Sequence, residues 1–283
     1  MTFNENAKLK KKRVTWKRSM VTIAGIAALV GGSNLVECTT QSAPSTNTVV
    51  AEDPCDTGDE ANASLDCRIE FTTASLDLVW ENVLKDQKRK VYTPPAINVF
   101  SDKITTACGV GETANGPFYC SHDQTVYIDT VFYKTLEDNF GSSNGPLAQE
   151  YVIAHEFGHH IQKTMGVLQR SFIGPAGPES NSVKAELQAD CYAGVWATKA
   201  DELLTEDGVA FLNPITDKDI ADAIQTAGSI GDDEIAEKFG QEVRPERFTH
   251  GTADQRQKWF MAGYNSGNMN SCDTWKSPDL NNP

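Results

Sequence analysis

Beyond its first nineteen residues the chain has little positive charge: 18 Lys and Arg stand against 38 Asp and Glu from position 20 onward, a balance of −20. A body of that sign repels phosphate backbones, which excludes a nucleic-acid partner. Apolar runs are short as well. The main one, Met20 to Val30, breaks at Gly31, Gly32, Ser33 and Asn34, short of the roughly 20 residues of a membrane span. No segment repeats another, and the acidic positions Asp217, Asp219, Asp222, Asp232, Asp233 and Glu234 lack EF-hand spacing. They read as surface charge that favours helix N-termini. Histidine is scarce, five in 283 residues, so any imidazole chemistry has few positions to use. An apolar share of 39% suffices for a core and excludes a wholly disordered chain.

The N-terminus carries its own pattern. Seven cations (Lys8, Lys10, Lys11, Lys12, Arg13, Lys17, Arg18) and one anion, Glu5, precede the apolar run. A basic stretch, a short apolar core and small residues, in that order, form a secretory signal, with cleavage near Gly32. Reading on to Val36 gives instead the length of an uncleaved anchor. Cys38, ahead of a Thr/Ser/Pro stretch, offers a third layout, a lipid-bearing cysteine, although Glu37 occupies a position that normally needs a small residue. The chain therefore divides into 1–36, signal peptide or membrane anchor; 37–67, flexible polar tether; and 68–283, the folded domain. Its place is extracytoplasmic, secreted or held at the outer face of a cytoplasmic membrane through the N-terminal segment or a lipidated Cys38.

Seven cysteines in an exported chain point to disulfides. Six pair by proximity or motif, Cys55 with Cys67, Cys108 with Cys120 and Cys191 with Cys272, leaving Cys38 over; buried free thiols are the other reading. Leu76, Val79, Trp80, Val83 and Leu84 recur at helical spacing before Lys85 to Lys90. Ala96 to Phe100 and Thr125 to Asp129 read as strands, the second either a core strand or an edge able to pair with an extended peptide. From Val131 the pattern is helical. The expected class is α+β, a small sheet first and helices after it.

His155-Glu156-Phe157-Gly158-His159 forms HExxH within a helical segment opened by Asn144-Gly145-Pro146 and ended by Gly166. A spacing of four puts both imidazoles on one face, where they can share a metal ion, and Glu156 lies a quarter-turn round, within reach of a water. A catalytic zinc needs a third protein ligand. No histidine follows at the spacing of the extended HExxHxxGxxH form, but Ser182 to Ala200 reads as a second helix with Glu186 and Asp190 four apart beside an apolar stripe of Val183, Leu187, Cys191 and Val195. Glu186 as ligand and Asp190 as acceptor from a ligand imidazole offset the cost of burying two carboxylates; a solvated acidic face is the alternative. His122 has no assigned task, and His160, turned about 100° from its neighbour, reads as a partly exposed or supporting side chain.

HEFGHH at 155–160, ELQADCYAGVW at 186–196 and FTHGTADQR at 248–256 resemble the bacterial putative neutral zinc metallopeptidase family, gluzincin-type proteases. Matching stretches run in order from VYTPPAINVF at 91–100 to CDTW at 272–275, so the resemblance covers about 88–275. It implies a zincin-like fold and a Zn²⁺-dependent peptidase acting on a peptide or protein substrate. In that chemistry His155, His159 and Glu186 hold the metal, and Glu156 takes a proton from water and passes it to the leaving amine. The place of His250 in FTHG makes it the candidate catalytic donor to the oxyanion, or else a cap for the helix starting near Thr252. A catalytically silent zinc-containing envelope protein acting as a binding module is the competing function; a non-proteolytic metallohydrolase is a third.

Overall fold

A computed structural model describes residues 55, 58–86, 90–204, 210 and 212–283. The signal or anchor segment 1–36, Cys38 and the tether as far as residue 54 lie outside the described residues. Among those described, no helix is long and apolar enough to cross a membrane.

Folded structure starts earlier than residue 68. Helix α1 (Gly58–Ala63) and helix α2 (Leu65–Asp86) follow one another, Ala61 and Cys67 are buried, and a disulfide joins Cys55 to Cys67. The polar composition of 58–67 suggested a tether, but a few small apolar side chains and a cross-link suffice to dock it. The other disulfides join Cys108 to Cys120 and Cys191 to Cys272.

The sheet is small. Strand β1 (Ala96–Phe100) lies parallel to β5 (Thr125–Asp129), and β4 (Phe118–Cys120) pairs antiparallel on the other side of β5, while β2 (Lys103–Thr106) and β3 (Gly109–Glu112) form a separate hairpin. Thr125 to Asp129 is thus the central strand, buried at all five positions, and has no free edge for a peptide. The edge strand next to it in this direction is β4.

Among the described residues six α-helices follow, α3 (Thr130–Phe140), α4 (Pro146–Met165), α5 (Asn181–Ala200), α6 (Asp217–Ser229), α7 (Asp232–Lys238) and α8 (Ala253–Ser266). Pro146 pre-sets the first turn of α4, and Gly166 closes it at a left-handed φ of 75° that suits glycine. Helix α4 is buried on almost every face, as expected of a helix enclosed by others, here α2, α5 and α6. Small residues set the closest approaches. A Cβ on Gly263 of α8 would lie 1.9 Å from the Cys191 carbonyl oxygen of α5, and one on Gly194 of α5 would lie 2.0 Å from the Phe260 carbonyl oxygen of α8. The two helices therefore touch backbone to backbone, and the Cys191–Cys272 disulfide ties the same region to the C-terminal segment.

Glu150, in the first half of α4, is buried, and burial pushes its carboxyl up to about 7 from the ordinary 4.5, against the opposing pull of the Arg68 guanidinium. In that window the folded protein keeps a proton that the unfolded chain releases, so this group's contribution falls as pH rises from 4.5 to about 7. The expected loss is about 3 kcal/mol. Urea unfolding at pH 5 and pH 8 checks it: Glu150→Gln flattens the slope, and an unchanged slope in the variant contradicts the assignment.

Candidate active site

Helix α4 presents His155 and His159 one turn apart, ring centroids 4.9 Å from each other, and α5 presents Glu186 opposite them. The glycine inside the motif makes this approach possible. A Cβ on Gly158 would come within 2.9 Å of the Ala189 Cα, so only glycine lets α4 and α5 close to this distance. His155 Nε2 lies 3.1 Å from Glu186 Oε2, and His159 Nε2 lies 3.5 Å from Glu186 Oε1. The donor atoms of the three residues all fall within 4.8 Å of one another.

Hydrogen bonds behind the rings aim both Nε2 atoms forward. His155 Nδ1–H donates to Asp190 Oδ1 at 2.8 Å, and His159 Nδ1–H donates to Gln162 Oε1 at 2.9 Å. Gln162 is itself oriented, since its amide donates to the Ala185 carbonyl at 2.6 Å. The network therefore assigns both imidazoles the tautomer that leaves Nε2 with a lone pair, the form a metal requires. Burial disfavours charge on His155, yet Asp190 and Glu186 outweigh it and push the ring up to about 10. Burial likewise opposes the charge on Glu186, but His159, His155 and His250 hold its carboxyl well below the usual range. A field that would keep a proton between these groups is one that holds a divalent cation, and two imidazoles with a carboxylate are a fitting donor set for zinc.

Asp190 is fully buried and saturated. Besides the His155 bond, its Oδ1 accepts from the Tyr151 hydroxyl at 2.5 Å and from Arg256 Nη2 at 3.0 Å, and its Oδ2 accepts from Arg256 Nε at 2.9 Å. Arg256 is buried too, with Nη1 donating to the Ile230 carbonyl. Burial opposes the Asp190 charge, but Arg256 and His155 keep it ionised.

Glu156 lies beside the three donors without joining them. Its carboxylate is nearly buried, which pushes its pKa up, and it accepts a hydrogen bond from the backbone of Tyr119 on β4. The Tyr119 hydroxyl donates to His160 Nδ1 at 3.0 Å, while His160 Nε2–H donates to the Thr93 carbonyl at 2.8 Å. His160 is thus buried rather than partly exposed, and it clamps the edge strand and the 93–95 segment to the motif helix. His122 is exposed, with Nδ1 3.4 Å from Cys108 Sγ. Cys108, Cys120 and His122 also cluster, but both sulfurs are committed to the disulfide.

His250 does not cap α8. Thr252 does so, in a capping box with Gln255. Gly251, at a φ of 92°, packs against Val183 and Leu187, the residues that bracket Glu186 on α5, so His250 stands next to that turn with its side chain 48% exposed. Asp232, in the first turn of α7, holds it there. Asp232 Oδ2 accepts the backbone N–H groups of Thr249, His250 and Gly251 at 2.7–2.9 Å, and Oδ1 lies 3.2 Å from His250 Nδ1. Burial lowers the pKa of the imidazole, but Asp232 and Glu186 outweigh it and favour the protonated ring. Sequence reasoning missed Tyr119, Tyr151, Gln162, Asp232 and Arg256. The spacing of Asp232 in the sequence predicts only surface charge at a helix N-terminus.

Two histidines on one helix, a glutamate from the next and a second glutamate beside them form a candidate metal site of the HExxH type. The chain belongs to the family described as "putative neutral zinc metallopeptidase", whose model matches residues 11–275. The match extends well ahead of residue 88 and includes Cys55 and Cys67. An uncharacterized protein of Mycobacterium tuberculosis is 47% identical over 227 residues, covering 80% of this chain and 76% of its own, and one of Mycobacterium bovis is equally similar. The uncharacterized protein YpfJ of Escherichia coli is 40% identical over 192 residues, 66% of this chain and 63% of its own. No solved structure matches. Family membership implies zinc as the metal and a hydrolase as the class of protein.

Proposed function

We propose that this protein hydrolyses peptide bonds, with zinc held by His155 Nε2, His159 Nε2 and the Glu186 carboxylate. The observation that carries the reading is the convergence of those three donors with Glu156 next to them but outside the set. A structural zinc would be closed by a fourth Cys or His, and among the described residues none joins this group. Zinc held there would supply Lewis acidity, polarising the scissile carbonyl and lowering the pKa of a water so that a base can deprotonate it for attack.

The chain's own residues do the rest. Glu156 takes the proton of the attacking water and delivers it to the leaving nitrogen; its burial and its Tyr119 hydrogen bond fix the carboxylate for both transfers. His250, held by Asp232, which favours its protonated form, donates to the developing oxyanion. Strand β4 holds the Glu156 carboxylate through the Tyr119 backbone and has no strand partner on its outer side among the described residues, so an extended peptide can add along that edge. The small sheet, the motif helix and the helical half after it support a zincin-like description of the fold. Three disulfides favour an oxidising, extracytoplasmic location, with the N-terminal segment as export signal or anchor.

Chelation tests the reading. The full-length protein is expected to cleave unfolded casein, to lose that activity on dialysis against 1,10-phenanthroline and to regain it with one equivalent of zinc. Activity that survives complete metal removal contradicts it.

A further inference from the structure

We propose that the cleft beside His250 binds a carboxylate group of the peptide substrate through Arg247 and Arg244; this rests on the peptidase reading above and names the substrate class of that site. The cleft has a volume of about 480 Å³, and Asp232, the residue that holds His250, forms part of its wall. His250 in turn stands at the Glu186 turn of α5, where Gly251 packs on Val183 and Leu187. The cleft is thus joined to the metal donors through Asp232 and His250, whose ring acts electrostatically on Glu186.

The charges facing this cleft differ from those of the rest of the body. Asp232 is acidic, but its oxygens are occupied by three backbone N–H groups and the His250 ring. Arg244 pairs with Glu242 at 2.9–3.0 Å, an exposed and therefore weak contact that a substrate carboxylate can exchange with. Arg247 makes no side-chain hydrogen bond or ion pair among the described residues. Arg247 and Arg244 thus line the cleft together with Asp232 and Glu242, a charge-balanced wall on a chain that carries −20 beyond residue 19. Ile235, Ala236 and Phe248 supply apolar wall for the methylene stem of the ligand. An arginine pair over an apolar floor suits a planar carboxylate, which it can engage through two parallel N–H donors. That carboxylate is either an acidic side chain or the free C-terminus of the substrate.

Three fluorescein-labelled peptides of otherwise identical sequence separate these cases. One has an internal glutamate and an amidated end, one a glutamine in that place and a free C-terminus, and one the glutamine with an amidated end. Their binding is read by anisotropy on full-length, zinc-loaded Glu156→Gln protein at low salt, and their cleavage on the native protein. At least one carboxylate peptide is expected to bind about tenfold more tightly than the neutral one, and which one identifies the source. Arg247→Gln together with Arg244→Gln is expected to bring that ratio to within about twofold. Equal binding of all three peptides, or a preference that survives in the double variant, overturns the proposal. If the native protein cleaves none of them while the anisotropy preference stands, the hydrolytic reading fails and the carboxylate cleft is kept.

Discussion

Glu156→Gln is expected to lower the rate of peptide cleavage by about 10²–10⁴-fold while zinc content stays at one per chain. Glutamine keeps the shape and the acceptor oxygen for the Tyr119 backbone but cannot take a proton. Because Glu156 stands outside the His155, His159 and Glu186 group, its replacement spares the metal. Rates and bound zinc measured on the same preparation give the result. Full activity in the variant would remove Glu156 from the mechanism, and loss of zinc would place it among the ligands.

The second large effect concerns stability. Arg256→Met is expected to cost about 3–5 kcal/mol, because it leaves the ionised, fully buried Asp190 without its bidentate partner. The cost of desolvation was met by that pairing, and the Tyr151 hydroxyl and His155 ring alone do not balance a full charge. Combining it with Asp190→Asn removes the charge and should recover part of the loss, so that the two changes are strongly non-additive. Denaturant midpoints of the wild type, both single variants and the double variant give the coupling. A cost below about 1 kcal/mol for Arg256→Met, outside the range for a broken buried pair, would show that Asp190 does not depend on it.

The proposed metal ligands and the supporting Asp190 were legible because each pair is local. His155 with His159 and Glu186 with Asp190 sit four residues apart, and helical geometry alone puts each pair on one face. The cysteine pairings were legible from short separations in two cases, 12 residues each, and from motif in the third. Residues 58–67 were misplaced because their composition is polar, while the features that fold them are a disulfide and the packing of Ala61. Thr125 to Asp129 shows alternating polarity, a pattern shared by edge and central strands, so only the pairing of β1 and β4 on its two sides decided between them. His250 had two readings, and Thr252 took the capping role because its own side chain and that of Gln255 satisfy the helix end.

By itself the sequence determined the chemistry on offer: an HExxH helix, a second helix with Glu186 and Asp190 on one face, and an acidic body behind a basic and then apolar N-terminal stretch. Tertiary structure decided which groups complete the site. Arg256 reaches Asp190 across 66 residues, Tyr151 reaches it across 39, and Asp232 reaches His250 across 18. Periodicity is set within one helix by bonds four residues apart, whereas these contacts exist only once α4, α5, α7 and α8 have packed. Gly158, Gly194 and Gly263 let those helices come close enough for the buried charges to meet.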